Sequence, residues 1–340
     1  MVTNWNRRQA ITVMGAALSG CVGTREVAGP PILINLSDPA PEEPGADLAS
    51  GHDSANRMTA PAFINGQGPF NFVVDTGANR TVLSTELALL LELPSAGTAQ
   101  IHGIAGVQAA PTVQVNRLSV GTVTSRRLRA PTLQRARLGA DGLLGVDFLK
   151  NRSVLMDFAK NQLTISKLGN GEIRTRVNAI DGRLHDNAAL DAALSRVIIV
   201  PARFRFGQLI IIDAEIAGVP ITAFLDSGSQ NTVGNLALHS RLRGAAGGLQ
   251  AGVSTVELIS ATGQRASGEL ASVPPLRLGG LSIGNLSAVF ADLHVFGLWD
   301  LLDRPAILIG IDVMRHFEAI ELDFANHQVL FRTPLRRVPP

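Results

Sequence analysis

Short apolar runs rich in Val, Ile and Leu recur along the chain, broken by Gly, Pro and Asn. That pattern predicts strands and turns, hence a mainly β protein. Thr59 to Asn65 predicts a strand, Gly66-Gln67-Gly68-Pro69 a turn, and Phe70 to Val74 a strand that ends at Asp75. Thr85 to Leu91 predicts a short helix. Gln100 to Val107 sets two β-prone flanks around a Gly-rich tip, which predicts a hairpin. Further strands are expected at Val113 to Val120 and Arg127 to Leu133. After Asp141 to Leu149 comes Val154 to Ile165, with a turn at Ala159-Lys160-Asn161.

The pattern then repeats. Ile210 to Ala217, the turn at Gly218-Val219-Pro220 and Ile221 to Leu225 restate the first strands. Leu276 to Gly279 restates Leu118 to Gly121, Ile307 to Met314 restates Gly142 to Leu149, and Leu322 to Gln328 restates Met156 to Gln162. The offset between copies grows from 151 residues (Asp75 to Asp226) to 166 (Asp157 to Asp323), so the second copy carries insertions, one of them around Ala291 to Arg304. The chain therefore divides into a first lobe at 58–167, a connection at 168–207 with a short helix at Leu190 to Leu194, a second lobe at 208–333 and a tail at 334–340.

Composition agrees with two domains. The chain has 340 residues, of which 46% are hydrophobic, enough for two cores. Net charge is +2, and without the first 21 residues it falls to zero, with 28 basic and 28 acidic side chains. No basic stripe with interleaved aromatics is present, so nucleic acid is not an expected partner. Arg332 to Arg337 reads as a solvated tail. The seven histidines are scattered and the single cysteine, Cys21, supports neither a disulfide framework nor a cysteine metal site, so no metal or other cofactor is expected.

Residues 1–21 read as an export signal. Arg7-Arg8 give the positive start and Ala10 to Leu18 a short apolar core. Leu18-Ser19-Gly20-Cys21 resembles the lipobox of bacterial lipoproteins, and the double arginine resembles a twin-arginine signal. The resemblance implies lipidation at Cys21 and a body anchored on the periplasmic side of a bacterial envelope membrane. Residues 22–57, rich in Pro, Gly, Ala, Asp and Glu, read as a flexible tether; the apolar run Pro31 to Leu36 is either part of it or a strand on a lobe edge.

The chemistry lies where the repeat is sharpest. Phe72-Val73-Val74-Asp75-Thr76-Gly77-Ala78 and Ala223-Phe224-Leu225-Asp226-Ser227-Gly228-Ser229 are apolar strands running into an acid, a hydroxyl residue and a glycine, with Thr81 and Thr232 four residues past each glycine. On duplicated lobes two such loops can meet across a pseudo-twofold axis. Two carboxyls in contact cannot both ionise cheaply, so they share a proton. The ionised member can take a proton from a water and the protonated member can polarise a carbonyl, which is hydrolysis by general acid–base catalysis. The hydroxyls of Thr76 and Ser227 are expected to lock the loops by bonding backbone across the axis. Ser229, which stands where the first copy has Ala78, is expected to favour ionisation on its own side. Asp147 and Asp312 read as caps or ion-pair partners, and Asp157 and Asp323 as turn residues. Gly280-Leu281-Ser282-Ile283-Gly284 matches a serine nucleophile motif on paper but lies between strands, where that motif has no strand-to-helix turn to act from.

At these residues the sequence resembles the retropepsin-like aspartic proteases. The Asp-Thr-Gly-Ala and Asp-Ser-Gly-Ser loops, their trailing threonines, and the downstream Leu143-Leu144-Gly145 and Leu308-Ile309-Gly310 carry the resemblance. It implies two tandem retropepsin-like lobes about a pseudo-twofold axis and an aspartic endopeptidase with Asp75 and Asp226 as catalytic residues. It also implies a polypeptide substrate and a covering flap at Ile101, His102, Gly103, Ile104, Ala105 and Gly106, with a second at Ile259 to Arg265. Both acids lie in one chain, so a monomer with an intramolecular dyad is expected. The rival expectation is a lipoprotein of the same fold that binds a peptide or other ligand without turnover.

Overall fold

The computed structural model describes residues 33–35, 46–53, 55–166, 196–205, 207–245 and 248–334. The export signal with Cys21, much of the expected tether, the helix at 190–194 and the last six residues lie outside them. The described chain is mainly β, in two lobes joined by a sheet that belongs to both.

In the first lobe eight strands form one sheet. The strand that delivers the acid, Gln67–Val74, is exposed at its start and fully buried over Phe72, Val73 and Val74. Gly142–Leu144 runs parallel to it, with Val73 opposite Leu143 and Val74 opposite Leu144. It lies between Gln67–Val74 and Val82–Ser84, covered on both faces, which is why these runs are apolar at successive positions instead of alternating. Gly142 is a glycine because a Cβ there would stand 2.3 Å from the Phe72 ring. The second lobe repeats the arrangement, with Val219–Leu225 parallel to Ala306–Ile309, and Leu225 opposite Ile309. A short helix follows the acid loop in each lobe. Ser84 caps Thr85–Leu90, its Oγ accepting from Leu87 N at 3.1 Å. Asn235 caps Leu236–Arg243 through Leu238 N at 2.9 Å.

The lobes share a six-stranded antiparallel layer. Ser153–Asp157 pairs directly with Ala319–Asp323, so the two copies of one element meet across the axis. Gln162–Ser166 and Gln328–Arg332 flank them, and Ala46–Ala49 and Val197–Arg205 close the edges. Met156 and Ile320, opposite each other in the register, are both fully buried.

Three sequence expectations change here. The lobes begin at Ala46 and Val197, ahead of the expected 58 and 208, since these strands occupy matching edges of the shared layer. Much of the described part of 22–57 is therefore built into sheets: Gly51–His52 pairs with Met58–Ile64, and Leu33–Asn35 pairs with Leu281–Ile283 on the edge of the second lobe. Strands of two to four residues hold through backbone pairing on an existing edge and need no apolar run of their own. Arg332 is not part of a solvated tail: it closes the strand Gln328–Arg332 and lies 3.7 Å from Asp157, with both side chains largely buried. Ser282 sits within the strand Leu281–Ile283, between two strand partners.

Because the shared layer takes strands from both lobes, the lobes should unfold as one unit. Ile320→Ala is expected to lower stability by about 2–5 kcal/mol, the usual range for such a truncation in a packed core. Differential scanning calorimetry should show one transition at a lower Tm; two separated transitions would show lobes that fold independently.

Candidate active site

The two acid loops meet at the centre of the molecule, and each is held by the other. Thr76 Oγ1 donates to the Leu225 carbonyl at 2.7 Å, and Ser227 Oγ donates to the Val74 carbonyl at 2.7 Å. In return Thr76 N donates to Ser227 Oγ at 3.1 Å and Ser227 N to Thr76 Oγ1 at 3.0 Å. These four bonds are buried, and they form a closed ring of donors and acceptors across the axis.

Glycine is required at both loops by close approach. A Cβ on Gly77 would lie 2.4 Å from Asp226 Cγ, and one on Gly228 would lie 2.3 Å from Asp75 Cγ. Each carboxyl therefore sits against the opposite loop's glycine. Within its own loop Asp75 Oδ1 accepts from Gly77 N at 3.0 Å and Ala78 N at 2.9 Å, while Asp226 Oδ1 accepts from Gly228 N at 3.0 Å. Asp75 Oδ2 takes no bond from the backbone, and a protonated Asp226 is the group that can donate to Asp75. The Ser229 hydroxyl does not tune the dyad as the sequence suggested. It donates to the Asn231 carbonyl at 2.7 Å, so its proton is committed within the turn.

The downstream motifs brace the loops from behind. Asp147 Oδ1 accepts from both Thr81 N and Thr81 Oγ1 at 2.8 Å. Asp312 does the same for Thr232, at 2.9 and 2.8 Å. These acids hold the trailing threonines, and burial pushes both carboxyls up, Asp312 to about 6. Gly145 and Gly310 are glycines because a Cβ would run into the backbone of Arg80 and Asn231, at 2.3 and 2.7 Å. Asp157 and Asp323 accept from backbone N–H groups in their hairpin turns.

Both dyad carboxyls are raised above the usual range. Burial is the chief cause for each. Asp75 is pushed up to about 7, while the Arg57 guanidinium and the loop N–H groups pull the other way. Asp226 is raised further by the charge of Asp75. A pair of this kind holds a shared proton across the mildly acid range, the state in which one member is a base and the other an acid.

Two hairpins reach from one lobe to the other. The first joins Ser95–Gly103 to Gly106–Val120, and the second joins Gln250–Ile259 to Arg265–Val273. Their tips exchange lobes. Ile104 is fully buried among Phe224, Val233, Leu258 and Phe296 of the second lobe, and its carbonyl accepts from His294 N at 2.6 Å. Ala261 is buried among Val73, Val82, Ile101 and Leu138 of the first lobe, and the neighbouring Thr262 carbonyl accepts from Arg137 at 2.5 Å. Gly103 lies against the second tip, where a Cβ would stand 2.7 Å from Thr262 Oγ1. His102 stacks on His294, with Nδ1 and Nε2 3.1 Å apart, and burial and that neighbour lower its affinity for a proton. Ile101, His102, Gly103 and Ile104 thus all face partners; Ala105 lines a groove of about 540 Å³ with His294, Asp292 and Arg265, and Gly106 packs against Gln264.

Residues 60–151 match the family model described as "gag-polyprotein putative aspartyl protease", and residues 212–313 match one described as "Aspartyl protease". Together the two matches span more than half of the chain, one on each lobe and each containing its acid loop. The chain belongs to the retropepsin-like aspartyl proteases. No curated protein matches it. In this retropepsin-like chain four residues at the centre escaped the sequence reading. Arg57 and Gln208 touch the acid loops, and Arg137 and His294 hold the hairpin tips. Arg57 and Gln208 share one position of the repeat, 18 residues ahead of each acid, which was the available signal. His294 and Arg137 lie in matching short helices, His294–Leu298 and Arg135–Leu138, each following the strand that runs parallel to the one after its acid loop.

The raised pair fixes a sign for stability against pH. With folded values above the unfolded 3.8, the native state binds more protons than the unfolded chain from about pH 4 to 7. Stability is then full below pH 4 and falls as pH rises through that window. Asp226→Asn removes the like charge, so its Tm should exceed the parent's at pH 7 by several degrees, with the gap closing near pH 4. Melting curves across this range check it, and a gap independent of pH would contradict the shared-proton reading.

Proposed function

We propose that the protein is an aspartic endopeptidase in which Asp75 and Asp226 jointly activate one water. The observation that carries the reading is the facing pair itself. Two buried carboxyls, each against the other's glycine, are held by reciprocal hydroxyl–backbone bonds at the axis of two like lobes. A fold that only bound a ligand would have no need to keep two acids in repulsive contact.

In the singly ionised dyad the carboxylate takes a proton from the water as its oxygen attacks the peptide carbonyl. The protonated partner gives its proton to the carbonyl oxygen, and the tetrahedral diol that results carries no formal charge. Its collapse returns the oxygen's proton to the dyad and delivers the other to the departing nitrogen, which regenerates the singly ionised pair. The rigid loops keep both carboxyls in place, so little reorganisation is needed as charge moves.

Cleavage of a mixed peptide library at pH 4 to 7 tests the reading, using the body without residues 1–21 beside Asp75→Asn and Asp226→Asn. Each single substitution is expected to reduce cutting by at least a thousandfold, since neither carboxyl can supply both proton transfers. Loss in only one of the two would replace the intramolecular dyad with a pairing of like lobes. A folded parent that cuts nothing would favour a binding role.

A further inference from the structure

Beyond the dyad, one position of the repeat reaches the active centre from both lobes with different chemistry. Arg57 is 2% exposed, and its NH1 donates to the Gly228 carbonyl at 3.3 Å, in the acid loop of the opposite lobe. Gln208 is also 2% exposed, and its Nε2 donates to the Gly77 carbonyl at 2.9 Å, again in the opposite loop. The two residues are copies of each other in the repeat. We propose that Arg57 and Gln208 are a matched pair of positioning residues, each clamping the other lobe's acid loop, and that the charge on Arg57 alone biases the dyad toward its ionised form. The second half of this proposal rests on the hydrolytic reading above.

Gln208 shows that a neutral amide at this position can hold the glycine carbonyl, its second acceptor being Asn79 Oδ1 at 2.9 Å. A buried guanidinium is the costlier solution, since several kcal/mol of hydration are lost unless the charge is matched. Here the match requires Asp53, which accepts from Arg57 Nε at 2.8 Å and again from NH2, while the Leu138 carbonyl takes NH2 at 2.5 Å. Asp53 also organises the turn, its Oδ1 accepting from Ala55 N at 3.0 Å and Arg57 N at 2.8 Å. The guanidinium thus stands between Asp53 on one side and the loop of Asp226 on the other. Holding a loop does not explain why one copy keeps this charged assembly and the other does not. Supplying charge to the dyad does.

The other charged or titratable groups packed about the centre are accounted for. Asp147 and Asp312 stand behind Thr81 and Thr232, with Arg80 and Arg315 beside them. His102 and Arg137 belong to the flap contacts. Among the cations of the described residues, Arg57 is the one that bears on both dyad carboxyls, and it favours their ionised forms.

The test is the pH dependence of kcat/KM for Arg57→Gln, Asp53→Asn and Gln208→Met. Arg57→Gln copies the other lobe's solution and removes the charge, so the acid limb should move up by about one pH unit, a roughly tenfold loss on that limb. Asp53→Asn keeps one oxygen acceptor for the turn and sets a neutral amide against the guanidinium, which unmasks its charge, so the limb should move down. Gln208→Met should lower kcat at every pH and leave the limb where it is. Shifts of opposite sign for Arg57→Gln and Asp53→Asn cannot arise from loosened packing and would support the proposal. Unmoved limbs, or shifts of one sign, in folded variants would overturn it. Should Arg57→Gln fail to fold, the sign of the Asp53→Asn shift decides alone. Melting curves give the same titration without turnover. If the parent cuts no peptide, the hydrolytic reading fails, and opposite displacements of the pH at which stability declines would still support the Arg57 assignment, while none would overturn it.

Discussion

Two like carboxyls pressed together out of water are an unfavourable contact, and the rest of this molecule is arranged to hold it. Desolvation and mutual repulsion both oppose ionisation of Asp75 and Asp226. Left free, either loop would swing its acid toward solvent. The structure prevents this with buried bonds whose donors and acceptors lie on opposite lobes: Thr76 to Leu225, Ser227 to Val74, Arg57 to Gly228 and Gln208 to Gly77. The glycines complete the constraint by removing the only atoms that would keep the carboxyls apart. Strain of this kind persists only where the surroundings over-determine it.

Exchange between lobes recurs at every level. The shared layer pairs Ser153–Asp157 with Ala319–Asp323, the acid loops trade hydroxyl bonds, and the hairpin tips bury Ile104 and Ala261 in the opposite lobe's apolar cluster. None of these contacts exists within one lobe. Either lobe alone would expose an unpaired sheet edge, an open apolar cluster and a single acid of ordinary character. The raised proton affinity of the pair is therefore a property of the assembled molecule, and covalent linkage of the lobes keeps it independent of protein concentration.

The sequence made legible what depends on local pattern. Apolar runs into Asp75 and Asp226, the trailing Thr81 and Thr232 and the later Gly145 and Gly310 follow from strands that must be buried on both faces and loops that must approach closely. Other features depend on partners far away in the chain and left no local mark. Ala46–Ala49 is a strand because Gln162–Ser166 offers it an edge. Arg57 reads as one more basic residue until Asp53, Leu138 and Gly228 surround it. The Ser229 hydroxyl faced two acceptors, and sequence position could not choose between Asp226 and the Asn231 carbonyl that takes its proton.

A dyad assembled from two identical chains would be bound to symmetry: whatever residue stands on one side stands on the other. Here the copies share a chain and have diverged at matched positions. Val73 corresponds to Phe224, Ala78 to Ser229 and Arg57 to Gln208, and the two short helices that receive the hairpin tips hold them differently, Arg135–Leu138 through the Arg137 side chain and His294–Leu298 through the His294 N–H. General acid–base hydrolysis needs the two carboxyls in different protonation states at the moment of attack. A symmetric site must break that equivalence anew in each turnover, through the substrate or the proton. An asymmetric one can build the difference into the protein. A single buried cation on one side of the axis makes the two loops unequal, and the neutral Gln208 opposite shows that the geometry of the clamp does not require the charge.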